Sequence, residues 1–240
     1  MNAGLIVFLL LVVLSFLGVP IFLAIAIATM VALTSAGFPM ETIVQKTFLG
    51  LNSSSLLAIP LFIFAGNAMS YGITQRLLNV ADAFLGRVRG SLGAVTIVAS
   101  GLFGAISGSG VATVSAIGGM TIPAMIDSGY DKNYAAASAS SASLLGPLVP
   151  PSITLIVYAS LTEVSVQKLF LATALPAIVL LVAFLAYALY YGKKHDLPTQ
   201  PKKSGKEIAS TLKESLLALL MPVIVLGSIF SGICTVTEAA

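Results

Sequence analysis

The chain has 240 residues, of which 58% are hydrophobic and only 9% are charged. Soluble globular domains carry roughly 25% charged residues, so this composition excludes an ordinary soluble domain and predicts a protein of the lipid bilayer. The net charge of +3 does not indicate a nucleic-acid partner, because the positive side chains lie between apolar runs, where they orient membrane spans.

Long runs without any Asp, Glu, Lys, Arg or His divide the chain. Each run exceeds the roughly 20 residues that a helix needs to cross the hydrocarbon core of a bilayer. The runs cover 3–40, 47–75, 90–126, 133–162, 169–192 and 215–237. This pattern predicts an all-α polytopic membrane protein.

The first segment, 1–72, is predicted to consist of transmembrane helices that serve mainly as a scaffold. Its first run is too long for one helix and is interrupted at Gly18-Val19-Pro20. Proline removes a backbone donor there and disfavours helical geometry in the residue before it. We therefore expect two short spans, over 3–18 and 20–37.

The sequence pattern changes after the third span. Glu41 and Lys46 mark a brief polar excursion, and the apolar segment 52–72 is the third span. Over 73–90, apolar residues recur at helical spacing while charged and polar residues occupy the other side. With Thr74 as its N-cap, this segment is predicted to be an amphipathic helix that lies in the membrane interface.

The next segment, 91–128, is predicted to be a re-entrant hairpin. Two apolar halves flank Ile106-Ser107-Gly108-Ser109-Gly110-Val111, where two glycines and two serines interrupt a helix. A water-exposed turn is not expected, because no charged residue lies near this point. Non-helical backbone at membrane depth is tolerated where it is buried in protein or lines a cavity.

The segment 131–160 is predicted to be a transmembrane helix that is unwound near its middle. It opens with small residues and then reaches Leu145-Gly146-Pro147-Leu148-Val149-Pro150-Pro151-Ser152. Three prolines within five residues cannot remain continuous α-helix, so we expect a break here.

The segment 161–240 is predicted to contain further transmembrane helices around a lysine-rich loop at 192–207. The positive-inside rule places this loop in the cytoplasm. The hairpin then enters and leaves from the cytoplasmic side, and the N-terminus lies outside. No polar tail follows the last span, so we expect the chain to be truncated within a longer protein. The loop lysines are Lys193, Lys194, Lys202, Lys203 and Lys206.

Two interrupted elements that are adjacent in sequence indicate a binding site at the middle of the membrane. Half-helix N-termini suit an anionic substrate, while freed carbonyls and hydroxyl groups suit Na⁺. The interrupted runs hold no carboxylate, which favours Na⁺ coupling over a proton relay, and no other cofactor or metal is expected. We assign Na⁺ binding to Ser107, Gly108, Ser109, Gly146, Val149 and Pro150, and substrate binding to Ser107, Ser109, Thr113 and Ser152.

Close packing is the alternative explanation for the hairpin motif. Gly104, Gly108 and Ala112 are spaced by four residues, which also suits close contact between membrane helices. Asn67 and the segment Asn52-Ser53-Ser54-Ser55 fit interhelical hydrogen bonds or interface effects better than a ligand role.

Three other function classes explain the sequence less well. An intramembrane serine protease would need a base within reach of Ser107, and the single histidine, His195, lies in the lysine loop, so no enzyme is expected. A channel would not require two adjacent broken helices. A purely structural scaffold does not explain the two breaks.

Five motifs resemble, in family order, the large membrane subunit of TRAP transporters, the tripartite ATP-independent periplasmic type. The resemblance extends over essentially the whole chain and corresponds to about the first half of such a subunit. The motifs are Leu57-Ala58-Ile59-Pro60-Leu61-Phe62-Ile63-Phe64-Ala65-Gly66, Gly104-Ala105-Ile106-Ser107-Gly108-Ser109-Gly110-Val111-Ala112-Thr113, Ile122-Pro123-Ala124-Met125 with Gly129-Tyr130, Gly146-Pro147-Leu148-Val149-Pro150-Pro151-Ser152, and Thr237-Glu238-Ala239-Ala240.

The resemblance implies an inverted-repeat elevator transporter of which this chain holds only the first repeat. The hairpin 91–128 and the broken helix 131–160 would then belong to its transport domain. The resemblance implies a location in the bacterial inner membrane, with the N-terminus in the periplasm. It also implies two partners, a small membrane subunit and a periplasmic substrate-binding protein. The implied activity is Na⁺-driven uptake of an organic acid of the sialic acid or C4-dicarboxylate type. An ordinary Na⁺-coupled anion transporter without a binding protein is the alternative.

Overall fold

The computed structural model describes residues 3–52, 54–199 and 203–240, and this part of the chain is helical without any strand. The predicted all-α membrane class is therefore confirmed, whereas the elevator mechanism and the inverted repeat remain predictions. Ser53 and Lys202 lie outside the described residues. The chain divides into two compact units, Met1–Ser53 and Ser54–Ala240.

The first unit holds three helices, α1 (Ala3–Phe16), α2 (Ile21–Ser35) and α3 (Met40–Leu51). The break between α1 and α2 falls in the predicted segment, where Gly18 has a φ of 77° and Pro20 precedes the first residue of α2. The buried residues of α2 are the small side chains Ala24, Ala28 and Ala32, which recur every fourth residue.

Helix α3 was not expected. The sequence predicted only a brief polar excursion around Glu41 and Lys46, but these residues lie within a helix of 12 residues. Glu41 is in the first turn, where a carboxylate interacts favourably with the helix dipole. A single acidic and a single basic residue do not interrupt helical hydrogen bonding. For this reason polarity alone predicted a non-helical segment where the chain is helical.

The second unit begins with the long helical segment α4 (Ser54–Leu85), which includes both the predicted span and most of the charged segment after it. Thr74 lies inside α4, so its assignment as an N-cap is wrong. The backbone departs from helical geometry at Gly72, which has a φ of 87°. Only glycine adopts this conformation readily. Whether 73–90 lies in the membrane interface stays a prediction.

The hairpin segment forms two helical limbs that meet at Gly108 and Ser109. The outgoing limb is α5 (Ser91–Ser107), and the return limb is α6 (Gly110–Thr113), a π-helical turn and α7 (Gly119–Asp127). Leu92, at the start of α5, packs in one cluster with Met125 and Ile126, at the end of α7. Both ends of the segment therefore lie together, as a hairpin requires.

The next span is broken in the predicted segment. It consists of α8 (Lys132–Ala142), α9 (Leu145–Leu148) and α10 (Ile153–Thr162). The chain direction changes by 45° between Lys132–Leu148 and Ile153–Thr162. Proline cannot donate the backbone hydrogen bond that would continue the helix through this point.

Two long apolar helices complete the unit, α11 (Val166–Lys194) and α12 (Gly205–Phe230). Both are long and apolar enough to cross a bilayer. Ser204 and Glu207 form a capping box at the start of α12. The helices of the second unit surround a hydrophobic core immediately below the hairpin tip, which includes Leu77, Ala81, Phe103, Ile106 and Ile117.

The loop between α11 and α12 is held against the end of α4 and the segment that follows it. Lys203 pairs with Asp82 at 2.6 Å, and Arg89 contacts the carboxylate of Asp196. The guanidinium of Arg87 donates to the backbone oxygen of Lys203 at 3.1 Å. These contacts hold the positive end of the second unit together, where the sequence predicts the cytoplasmic surface.

Candidate functional site

The tip of the hairpin is a tight turn that begins a new helix. Gly108 ends α5 with a φ of 60°, and Ser109 is extended. The Ser109 side chain accepts a hydrogen bond from the backbone N–H of Ala112 at 3.3 Å. Ser109 therefore caps the return limb, so that the first N–H groups of this limb are directed at the turn.

Three oxygen atoms converge at this turn. The carbonyl oxygen of Ser109 accepts from the hydroxyl of Thr113 at 2.7 Å and lies 3.5 Å from the Ser107 hydroxyl oxygen. The hydroxyl oxygens of Ser107 and Thr113 are 3.4 Å apart. Ser107 and Thr113 are both buried. Hard cations such as Na⁺ prefer clustered oxygen ligands of this kind, so the residues present fit the predicted ion.

The break in the second element is closed by Ser152. Its hydroxyl donates to the backbone oxygen of Pro147 at 2.7 Å and accepts from the N–H of Leu155 at 3.4 Å. The side chain is fully buried. This hydroxyl thus satisfies a freed carbonyl and caps α10 at the same time. Its assignment as a substrate ligand stays a prediction.

The two breaks contact each other directly. A methyl group on Gly108 would come within 2.7 Å of the carbonyl oxygen of Pro151. A methyl group on Gly146 would come within 2.7 Å of the carbonyl oxygen of Ser109. The structure thus brings together four of the predicted Na⁺ ligands, namely Ser107, Gly108, Ser109 and Gly146. Only glycine permits this approach of one backbone to another.

The other two predicted Na⁺ ligands face a different environment. Val149 and Pro150 line a wholly apolar cavity of about 340 Å³ between α5 and α11. Their side chains carry no oxygen, so the predicted ligands at these two positions are backbone carbonyls. The carbonyl group that lies against the tip belongs to Pro151, which the sequence did not single out as a ligand. The role of the Val149 and Pro150 carbonyls stays a prediction.

A cavity of about 550 Å³ opens between the hairpin tip, α4 and the start of α10. It contains two of the predicted substrate ligands, Ser107 and Ser109, whereas Thr113 and Ser152 are buried beside it. None of the described residues that line this cavity is charged. They are Ile63, Gly66, Asn67, Phe103, Ser107, Ser109, Ala112, Ser115, Ala116 and Ile153.

Two polar residues that line this cavity were not predicted to be ligands. Asn67 was expected to serve interhelical hydrogen bonding, and Ser115 was not singled out. A Cβ atom on Gly66 would lie 3.4 Å from the Cα of Ser107, so α4 approaches the hairpin closely enough to add Asn67 to the cavity wall. An amide inside an apolar span was the available signal, because polar residues at membrane depth are costly.

The electrostatics of the cavity come from helix ends and not from side-chain charge. The return limb begins at Gly110, next to the lining residue Ser109, and α10 begins at the lining residue Ile153. Helix N-termini carry partial positive charge and unpaired N–H groups. Two such ends at one cavity can stabilise an anionic group, while the adjacent oxygen cluster can hold a cation.

Residues 8–240 match the family described as the tripartite ATP-independent periplasmic transporter, DctM component. The chain is 39% identical over 243 residues to an ectoine and 5-hydroxyectoine TRAP transporter large permease protein of Ruegeria pomeroyi, covering 98% of this chain and 56% of the relative. A sialic acid TRAP transporter large permease protein of Vibrio cholerae is 38% identical over 229 residues, covering 94% and 53%.

A third relative has another cargo in its name. The C4-dicarboxylate TRAP transporter large permease protein of Rhodobacter capsulatus is 35% identical over 255 residues, which cover 99% of this chain and 58% of the relative. The chain thus spans about half the length of the curated relatives it matches. Relatives named for different cargoes are similar to it at nearly the same level.

Proposed function

Because the chain belongs to the DctM component family of tripartite ATP-independent periplasmic transporters, we propose that it is part of a Na⁺-coupled permease that imports an organic acid. The observation that carries this proposal is the direct contact between the hairpin tip and the second break, at Gly108 and Gly146. This contact joins an oxygen cluster to two helix N-termini in one cavity, as a site for a cation and an anion requires.

The family also decides between the function classes. Its named relatives are transporter permease proteins, so the serine protease alternative is excluded. The chain is an integral membrane protein and not an enzyme. In the proposed assembly, a small membrane subunit and a periplasmic binding protein complete the transporter in the bacterial inner membrane. The N-terminus is then periplasmic and the lysine loop cytoplasmic.

Coupling follows from occupancy of the two neighbouring parts of the site. A Na⁺ held by Ser107, Ser109 and Thr113 would place a positive charge beside the cavity and strengthen binding of an anionic cargo. The hairpin and the broken helix would then move as one body across the membrane in the proposed elevator step, because their backbones interlock at the two glycines.

Reconstituted uptake tests this proposal. We expect the full-length permease, with its small subunit and binding protein in proteoliposomes, to accumulate a labelled organic acid only with an inward Na⁺ gradient. The panel contains a sialic acid, a C4-dicarboxylate and ectoine, which are the cargoes in the names of the relatives. Uptake without the binding protein would favour an ordinary Na⁺-coupled transporter. Gradient-independent flux would favour a channel.

The hydroxyl groups at the tip have a separate test. Ser107→Ala is expected to raise the Na⁺ concentration for half-maximal uptake about tenfold, because it removes a hydroxyl oxygen from the cluster. Ser109→Ala is expected to act in the same direction, because it removes the hydroxyl that caps the return limb and so fixes the position of the Ser109 carbonyl. The control is Ser100→Ala, a buried serine of α5 about 10 Å from Ser107 along the helix, which is expected to leave Na⁺ activation unchanged. Unchanged Na⁺ activation in both tip variants would contradict the assignment.

A further inference from the structure

Two polar side chains in the wall of the cavity beside the hairpin tip take no part in the proposed Na⁺ site. Among the described residues, four polar side chains line this cavity, namely Asn67, Ser107, Ser109 and Ser115. Ser107 belongs to the oxygen cluster with Thr113, and Ser109 caps the return limb. Asn67 and Ser115 are therefore polar groups of the wall that have no role in holding the ion.

Ser115 lies in the π-helical turn of the return limb, Val114–Gly118. Such turns are rare, and they are frequently found at functional sites. Before and after this turn, the hydroxyl groups of Thr113 and Thr121 donate to carbonyl oxygens four residues earlier. The Ser115 hydroxyl makes no such bond and has no hydrogen-bond partner among the described residues. This hydroxyl is therefore available to a bound molecule.

The residues around Ser115 leave its hydroxyl open to the cavity. Ala112, Ser115 and Ala116 follow the spacing of one helix face, and all three line the cavity. Because the two neighbours on this face are alanines, they are too small to cover the hydroxyl. Ser115 is exposed, whereas Thr113 and Ile117 are buried. The side chain of Ser115 thus faces the cavity and not the core.

Asn67 adds an amide group to the cavity from a different helix. A Cβ atom on Gly66 would lie 3.4 Å from the Cα of Ser107, so α4 and the hairpin are in close contact beside Asn67. Asn67 is exposed where it lines the cavity. An amide offers two donors and an acceptor, and a serine hydroxyl offers one donor and two lone pairs. Together the two side chains can donate to a hydroxyl group and accept from it.

The wall favours an uncharged polar group beside Ser115. None of the described lining residues is charged, and Ile63, Phe103 and Ile153 make much of the wall apolar. Moving a second carboxylate from water onto such a wall costs more than moving a hydroxyl, because a charge needs a charged partner there. Ser115 lies six residues after Ser109, which is roughly 9 Å along the limb at 1.5 Å per residue. A cargo whose acid group lies at the tip therefore reaches Ser115 with its other end.

We propose that Ser115, together with Asn67, determines cargo specificity by hydrogen bonding to a hydroxyl group at the end of the cargo opposite its acid group. The cargo class is then a hydroxylated organic acid. A site that bonds a hydroxyl rejects the analogue without it, because the polar groups of the site are left unpaired. The proposal rests on the proposed function, since it concerns the cargo of the same cavity, but it does not involve the ion.

Cargo binding to the purified full-length permease with its small subunit tests the proposal. The binding protein is omitted, because it would add its own specificity, and Na⁺ is kept saturating. The dissociation constant is measured by calorimetry for pairs of cargoes that differ by one hydroxyl. The pairs are 5-hydroxyectoine with ectoine, malate with succinate, and N-acetylneuraminate with an analogue that lacks its terminal hydroxyl.

We expect the wild type to bind the hydroxylated member of a pair more tightly. Ser115→Ala is expected to raise the dissociation constant of that member about tenfold, because one hydrogen bond is lost. The dissociation constants of the other member and of Na⁺ should not change, which a merely structural role would not explain. Ser115→Thr keeps a hydroxyl and should restore the binding. Asn67→Ala is expected to act in the same direction as Ser115→Ala.

The matched control is Ser128→Ala, at the end of the same limb and outside the cavity, which is expected to bind both members like the wild type. Three results would each overturn the proposal. These are equal affinity of the wild type for both members of every pair, an equal loss of both in Ser115→Ala, and no binding of any hydroxylated member. Uptake that does not respond to Na⁺ would instead contradict the proposed function, while the ratio of the two dissociation constants would still test this proposal.

Discussion

Replacement of Gly108 by alanine is expected to reduce Na⁺-driven uptake by at least about a hundredfold. The added methyl group would lie 2.7 Å from the carbonyl oxygen of Pro151 and 3.1 Å from the N–H nitrogen of Ile153. Both are backbone atoms that cannot turn away. The φ of 60° adds a cost of about 1–2 kcal/mol for any residue with a Cβ. The hairpin tip must therefore move away from the second break.

Gly146→Ala should produce the same result from the other side of the contact. Its methyl group would lie 2.7 Å from the carbonyl oxygen of Ser109 and 2.9 Å from the nitrogen of Gly110. Overpacking of this kind costs roughly 1–3 kcal/mol even where neighbours adjust. We expect a loss of uptake and a higher Na⁺ requirement, since the displaced carbonyl belongs to the oxygen cluster.

The matched control for both variants is Gly119→Ala in the return limb. Gly119 has helical geometry, with a φ of −56°, and nothing lies within 4 Å of its Cβ position. Alanine is favoured over glycine in a helix by about 1 kcal/mol, so this variant should keep uptake and unfold at a slightly higher temperature. If Gly108→Ala folds and transports normally, the tip does not lie at the transport site.

Gly192→Ala is expected to destabilise the second unit more strongly than Gly108→Ala or Gly146→Ala. The methyl group would lie 2.5 Å from the carbonyl oxygen of Arg89 and 2.6 Å from the nitrogen of Gly90, and it would also meet the Gly90 Cα. Helix α11 and the start of α5 would have to separate at the predicted cytoplasmic end. We expect a lower yield of folded protein and a thermal unfolding midpoint reduced by several degrees.

The control for this position is Gly227→Ala, inside α12, where nothing lies within 4 Å of the added group. This variant should match or exceed the wild type in unfolding midpoint. The two large predictions are distinguishable. Gly192→Ala protein that does fold should retain its Na⁺ dependence, whereas Gly108→Ala protein should not. An unchanged unfolding midpoint for Gly192→Ala would show that the α5 and α11 backbones are not in contact.

The positions of the helix breaks were accessible from the sequence because they depend on single residues. Gly18 and Pro20 separate α1 from α2, and Gly108 ends α5. Proline lacks a donor, and glycine alone adopts positive φ without cost, so these residues constrain the backbone in any surroundings. The cluster of prolines after Gly146 predicted the second break for the same reason.

The boundaries inferred from polarity were less reliable. Glu41 and Lys46 suggested an excursion, yet they lie in helix α3, and the charged segment after Gly72 continues helix α4. Helical hydrogen bonds form within the backbone and tolerate a charged side chain on a solvated or paired face. In α4, Asp82 is paired with Lys203 across a long stretch of sequence, which no local pattern could reveal.

By itself, the sequence determined that the chain is an all-α membrane protein, that it breaks at Gly108 and after Gly146, and that serine oxygens lie at both breaks. The tertiary structure decided which of these groups meet. It placed Ser107, Ser109 and Thr113 in one cluster, added Asn67 to the cavity and turned Val149 towards an apolar wall. Backbone geometry is a property of individual residues, whereas contacts between distant residues depend on how whole helices pack, and only the fold defines that packing.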